Sequence, residues 1–208
     1  MNENPMADAA PETDDELLLR MHSGDEQAFV TLYRRRQPAI YRFARHMSGS
    51  AAIAEDITQD VFVALIREDC GYDPERGTLS GYLFGIARKL ALRRLERGRA
   101  DVALDTGSED SYGVDLSVNG NQLTDLMRKE GIDALLRAIQ ALPHRYREVV
   151  ALCDLEEVDY VEAAAILNCP VGTVRSRLHR ARSLLLDKMF QERNHRPAGA
   201  LKPARSLT

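Results

Sequence analysis

Apolar residues recur at helical spacing in two separate stretches of the chain, 14–97 and 132–190, and no stretch longer than a few residues alternates as a strand would. Ile53, Ile57, Val61, Ala64 and Leu65 share one face of the helix predicted in AAIAEDITQDVFVALIRE. Val174, Leu178, Ala181 and Leu185 share one face of a second helix in TVRSRLHRARSLL. Between the two stretches lies GRADVALDTGSEDSYGVDLSVNGNQLTDLMRKEG (98–131), rich in Gly, Ser, Asp and Asn, with seven acids against three bases. Such a composition reads as a linker. The expected fold is therefore all-α, with two small helical domains joined by a flexible acidic linker. Residues 1–13, which show no periodicity, and the basic tail 191–208 are expected to be disordered.

Within the first stretch, Ser23 or Asp25 is placed to cap a helix carrying Phe29, Leu32 and Tyr33. CGYDPERGT (70–78) breaks the pattern with two glycines and a proline and reads as a loop. In the second stretch, Leu142-Pro143 marks a helix boundary. The chain has no tryptophan, so its cores must be built mostly from Leu, Ala, Val and Ile.

Several function classes find no support. No run of about 18 apolar residues suggests a membrane span. The N-terminal MNENPMADAAPETDDE has neither a basic start nor an apolar stretch, so no signal peptide is expected. Cys70, Cys153 and Cys169 are odd in number and widely spaced, as suits packing residues in a reducing, cytoplasmic compartment. No ligand spacing points to a metal, and no nucleophile–base set or P-loop appears. No catalytic residue and no cofactor is expected, and the chain does not read as an enzyme.

The net charge of −4 conceals strong segregation. Residues 1–19 hold six acids, whereas 173–208 hold nine Lys/Arg against two acids, 9 − 2 = +7. Four arginines and a histidine fall in the eight residues of RSRLHRAR, with no acid between Thr173 and Leu186. A solvated helix more often mixes both signs. YVEAAAIL, a tight NCPVG connection and the helix from Thr173 match a helix-turn-helix. Ser176, His179 and Arg180 face away from the apolar side, flanked by Thr173 and Arg175. Small residues admit the helix to base edges, while arginines reach guanine or phosphate. Arg177 and Arg182 lie nearer the core side and read as phosphate-binding or structural.

AEDITQDVF sets Asp56 and Gln59 three residues apart on one face, suited to arginines of a partner helix or simply solvated. In LSGYLFGIARKLALRRLER the glycines at 81 and 85 share a less apolar face with Arg88 and Lys89, which supply charge for a phosphate backbone. Tyr72 and Tyr82 are aromatic platforms for an unpaired base, although Tyr82 also suits core packing.

These segments carry a resemblance. LPHRYREVVAL and YVEAAAILNCPVGTVRSRLHRAR (within 142–182) resemble the fourth conserved region of extracytoplasmic-function sigma factors. AFVTLYRRRQPAIYRFA, AEDITQDVF and GTLSGYLFGIARKLALRRLER (from 28, 54 and 77) resemble the second region of the same family. The resemblance implies two helical domains, 14–97 and 132–190, with the core of bacterial RNA polymerase, promoter DNA and an anti-sigma factor as partners. It assigns polymerase binding to Asp56 and Gln59, minus-10 contacts to Tyr72, Arg88 and Lys89, and minus-35 contacts to Thr173, Arg175, Ser176, His179 and Arg180. The chain departs from the family pattern at Tyr82, where tryptophan is common, and at Lys89, where asparagine is usual. Arg93 and Glu96 reverse the usual aspartate–arginine order. The alternative is a two-domain helix-turn-helix regulator that binds DNA without polymerase.

Overall fold

The computed structural model describes residues 12–67, 70–102 and 122–195. The described residues form eight α-helices and no strand: α1 (Asp14–His22), α2 (Glu26–Ser48), α3 (Ala51–Ile66), α4 (Leu79–Val102), α5 (Gln122–Gln140), α6 (His144–Val150), α7 (Tyr160–Leu167) and α8 (Val171–His195). Two expectations of disorder are corrected at their edges. Thr13, expected within a disordered 1–13, caps α1, and 191–195 of the tail expected to be disordered over 191–208 continue α8. Residues 1–11 and 196–208, and 103–121 of the expected linker, lie outside the described residues. Helices α4 and α5 each reach into the 98–131 stretch.

Side-chain caps set the helix starts. Thr13 and Glu16 form a reciprocal capping box on α1. Asp25 caps α2 by accepting from the Gln27 and Ala28 amides, and Ser50 caps α3. Asp159 caps α7 through the Val161 and Glu162 amides at 2.8 and 2.9 Å. Gly49, at φ 77°, closes α2 in the left-handed region and lets the chain turn at once into α3.

Helix α2 is the axis of the first module, with α1, α3 and α4 packed around it. Leu32, Ile40, Phe43 and Met47 of α2 meet Ile57, Val61 and Leu65 of α3 and Leu83 and Ala87 of α4, all essentially inaccessible to solvent. In the second module Ile139, Leu142, Val149, Leu152, Ala163, Val174, Leu178 and Ala181 form the buried set. Helix α6 runs on through a π-helical turn, Ala151–Leu155, in which the Glu156 amide donates to the Ala151 carbonyl five residues back. Glu157 then takes a left-handed φ of 55° to leave the helix.

The modules do not stand apart. Their buried residues form one continuous cluster. The last four carbonyls of a helix lack partners within it. At the end of α2, Gln140 donates to the His46 carbonyl at 2.6 Å and Arg147 to the Met47 carbonyl at 2.8 Å. The second module thus caps the central helix of the first. Helix α7 lies on α4, where a Cβ at Gly81 would sit 2.8 Å from Glu162 Oε1.

Candidate nucleic-acid interface

Helices α7 and α8 are joined by Asn168, in the left-handed conformation at φ 50°, followed by Cys169 and Pro170. The Pro170 carbonyl accepts from the Thr173 amide at 2.8 Å, and α8 starts at Val171, two residues before the expected Thr173. Val174, Leu178 and Ala181 are buried and seat α8 against the module core. Leu185, expected with them, is half-buried.

This seating fixes where the basic side chains go. Arg175, Ser176, His179 and Arg180 are exposed and lie next to one another at successive turns, with Thr173 half-buried at the helix start. The Ser176 hydroxyl donates to the Thr173 carbonyl at 3.0 Å, which leaves its lone pairs outward as acceptors. Among the described residues Arg175 and Arg180 make no ion pair, whereas Arg177 lies 3.8 Å from Glu148, and Arg182 bonds Asp154 at 2.5 and 3.2 Å. The four arginines therefore divide into two outward and two held against the module. Asp154 is also what raises the Arg182 pKa above its ordinary value, through hydrogen bonding and then charge.

The loop before α4 is held by aromatic hydroxyls. Tyr72 donates to Asp15 at 2.7 Å and lies at 3.2 Å from the Gly77 carbonyl, while Tyr82 donates to the Cys70 carbonyl. The two rings are 5.6 Å apart and tilted. Burial, then the Asp15 hydrogen bond and charge, raises the Tyr72 pKa above its usual value, so the group remains a donor. Lys89 is exposed. Arg88 is not on open surface: its Nε donates to Glu148 of α6 at 2.8 Å. The face with Gly81 and Arg88, where sequence reasoning set a phosphate backbone, receives α7 and Glu148.

On α3, Asp56 and Gln59 are both exposed, and they have different neighbours. Asp56 and Asp60 share Arg94 of α4 at 3.3 and 3.0 Å. Gln59 lines a groove of about 560 Å³ between α2 and α3, with Phe29, Tyr33, Tyr41, Phe62, Val63 and Ile66. Tyr33, Val63 and Ile66 are large exposed apolar side chains. Sequence reasoning missed this groove. Its signal was present, since Val63 and Ile66 are apolar yet lie off the face that carries Ile57, Val61 and Leu65. Arg94 and Glu148 were also missed; only tertiary packing shows their partners.

Comparison with known proteins places the chain in a family. The sigma-70 region 2 model matches residues 32–100, and the sigma-70 region 4 model matches 132–185. The chain is 34% identical over 168 residues to the ECF RNA polymerase sigma factor SigE of Mycolicibacterium smegmatis, a match covering 79% of this chain and 64% of that protein. It is 30% identical to SigW of Bacillus subtilis, covering 80% of this chain and 91% of that one. It is also 30% identical to the sigma-E factor of Escherichia coli, covering 85% and 94%. Among solved structures it resembles CnrH, solved with the cytosolic domain of CnrY, at 26% identity and TM-score 0.63, covering 87% of this chain and 99% of that one. A likeness of fold extends to the sigma factor RpoE of Bartonella quintana, solved with the anti-sigma factor NepR, at 23% identity and TM-score 0.65, covering 79% and 98%. With both regions present in order, and with relatives matched over nine-tenths of their length, the chain belongs to the extracytoplasmic-function family of RNA polymerase sigma factors.

Proposed function

We propose that the chain confers promoter recognition on core bacterial RNA polymerase and makes or breaks no covalent bond itself. The observation that carries this reading is the outward strip of α8: Arg175, Ser176, His179 and Arg180 exposed together on a helix-turn-helix whose Arg177 and Arg182 are paired with carboxylates. Such a strip suits the major groove, where Arg reads guanine and small residues admit the helix. In this reading Thr173, Arg175, Ser176, His179 and Arg180 contact the minus-35 element. Tyr72 and Lys89 act at the minus-10 element, joined by Arg88 once it leaves Glu148. The α2–α3 groove with Gln59, beside the Asp56–Arg94–Asp60 cluster, receives polymerase.

No described helix is long and apolar enough to cross a membrane. The proposed place of action is the cytoplasm, where polymerase is. An anti-sigma factor is a further partner, supported by the similar chain CnrH having been solved in a complex.

The test is in vitro transcription with the full chain and core polymerase on a promoter library. Discrete start sites dependent on the chain are expected. DNA binding without any start would favour the alternative, a helix-turn-helix regulator independent of polymerase.

A further inference from the structure

Helix α4 carries five cations between positions 88 and 97, and its packing divides them by face. Leu83, Phe84, Ala87 and Ala91 are buried and seat the helix on α2 and α3. From that seat Arg94 reaches Asp56 and Asp60 of α3 at 3.3 and 3.0 Å, and Arg88 reaches Glu148 of α6 at 2.8 Å. The other three, Lys89, Arg93 and Arg97, are exposed. They stand four residues apart, about 6 Å from one to the next along the axis. Among the described residues none of the three has an ion-pair partner. Glu96, the one acid in 79–97, is exposed and closes no pair with Arg93 three residues before it.

A row of unneutralised cations suits a polyanion, and its neighbours decide which part of the polyanion it meets. On α8, Thr173 and Ser176 stand among the arginines and admit the helix to base edges. On α4 the outward side beyond Gly85 has no such residue. Ala87 and Ala91 are buried, and every other position from 86 to 97 is Ile, Leu, Glu, Lys or Arg. A duplex against this side is held at arm's length, with its phosphates in reach of the cations and its bases out of reach. Tyr82 lies on the same face two turns before Lys89, and its ring is 5.6 Å from that of Tyr72. From Tyr82 to Arg97 the helix rises about 22 Å, the length of about six base pairs. Beyond Arg97 the chain runs on to the module that carries α8.

We propose that Lys89, Arg93 and Arg97 form a phosphate track, which starts at the minus-10 element and grips the spacer duplex on its minus-35 side without reading the sequence there. The proposal rests on the reading of the chain as a sigma factor. Affinity gained from charge alone carries no base preference. Promoters used by this chain should therefore vary freely in that part of the spacer, while their occupancy falls steeply with salt.

The test uses the full chain with core polymerase. The duplex takes its minus-35 and minus-10 elements from a promoter on which the wild type starts transcripts, and its spacer is randomised. Binding is measured over a salt series. The double variant Arg93→Gln/Arg97→Gln removes two charges and keeps good helix formers. Arg93→Lys/Arg97→Lys keeps the charge and loses the fork that pairs with guanine. The Gln variant is expected to lower the salt slope by about two units, to weaken binding about tenfold and to select spacers as random as those of the wild type. The Lys variant is expected to keep the wild-type slope. Methylphosphonate linkages in the spacer beside the minus-10 element remove the same charges from the DNA, and should lower the wild-type slope alike; this arm decides if a variant loses its helical circular dichroism. An unchanged slope makes the row a solvated face and overturns the track. A guanine preference in the wild-type spacers that both variants lose makes Arg93 or Arg97 a base reader, which also overturns it. Start sites with an unchanged slope remove only the track, whereas a wild type that gives no start sites removes the sigma reading and the track with it.

Discussion

The arginines of α8 differ by what stands across from them. Arg177 and Arg182 face Glu148 and Asp154, while Arg180 faces solvent. Helical spacing alone separates the two pairs, because a 3.6-residue wheel sets 177 and 182 nearer to Leu178 and Ala181. The partners were not legible, since Glu148 lies in REVVAL, far from α8 in sequence. If Arg180 reads a guanine, Arg180→Ala should cost about 1–3 kcal/mol on the preferred site and relax one position. If it holds a phosphate, all sites should weaken alike and the salt slope should fall by about one unit. Binding to a randomised duplex at two salt concentrations distinguishes the cases. His46 gives a second prediction at this scale. Burial, then the charges of Arg45 and Arg42, lowers its pKa from 6.5 to about 4. The unfolded chain therefore takes up a proton as pH falls through 6.5, and the folded chain does not until about 4. Stability from this group is full above 6.5 and lost below, by about 2 kcal/mol between pH 7 and pH 5. Burial raises the Glu156 pKa, which acts in the opposite sense. The measurement is thus a difference: urea unfolding of the wild type against His46→Gln at both pH values, with the variant showing the shallower fall.

At the scale of elements, α3 has two working sides. One buries Ile57, Val61 and Leu65, and the other exposes Val63 and Ile66 beside the α2 groove. An apolar rim around the amides of Gln37 and Gln59 resembles the anchor pockets where binding energy concentrates. Val63→Asp should weaken binding of core polymerase by about 2 kcal/mol, measured by titration, with helical circular dichroism unchanged. Asp159 does comparable work for α7, because its carboxylate takes two amides that the helix cannot satisfy. Asp159→Ala should lower stability by about 1 kcal/mol, read as a fall in denaturation midpoint. Helix existence was largely legible, and capping only in part. Of the two residues offered, Asp25 caps α2 while Ser23 closes α1, and Pro143 precedes α6 at its expected place, but the caps Thr13, Ser50 and Asp159 were not foreseen. The π-helical turn at Ala151–Leu155 was not. Its sequence, ALCDL, carries no local signal, and the turn shows only in the altered bonding around Glu156 and Val158.

The whole molecule is two sequence modules with one continuous buried cluster. Periodicity showed that each half would be helical. It could not show that they pack together, because the bonds between them join helix ends and buried charges rather than a patterned apolar stripe. Gln140 is the clearest case, an amide in AIQAL that reads as surface yet caps α2 through the Arg45 and His46 carbonyls. Calorimetry of the full chain should therefore show one cooperative transition, and Gln140→Ala should destabilise it by about 1–3 kcal/mol or split it in two. The order of synthesis adds a further consequence. Arg88 and Glu148 are 60 residues apart. At roughly 5–20 residues per second, about 3–12 s separate their emergence from the ribosome. For those seconds the first module must fold with the face of α4 bare. Gly81 and Gly85 leave little apolar surface there. The waiting intermediate thus offers other nascent chains few sticky side chains, even though its guanidinium lacks its eventual carboxylate.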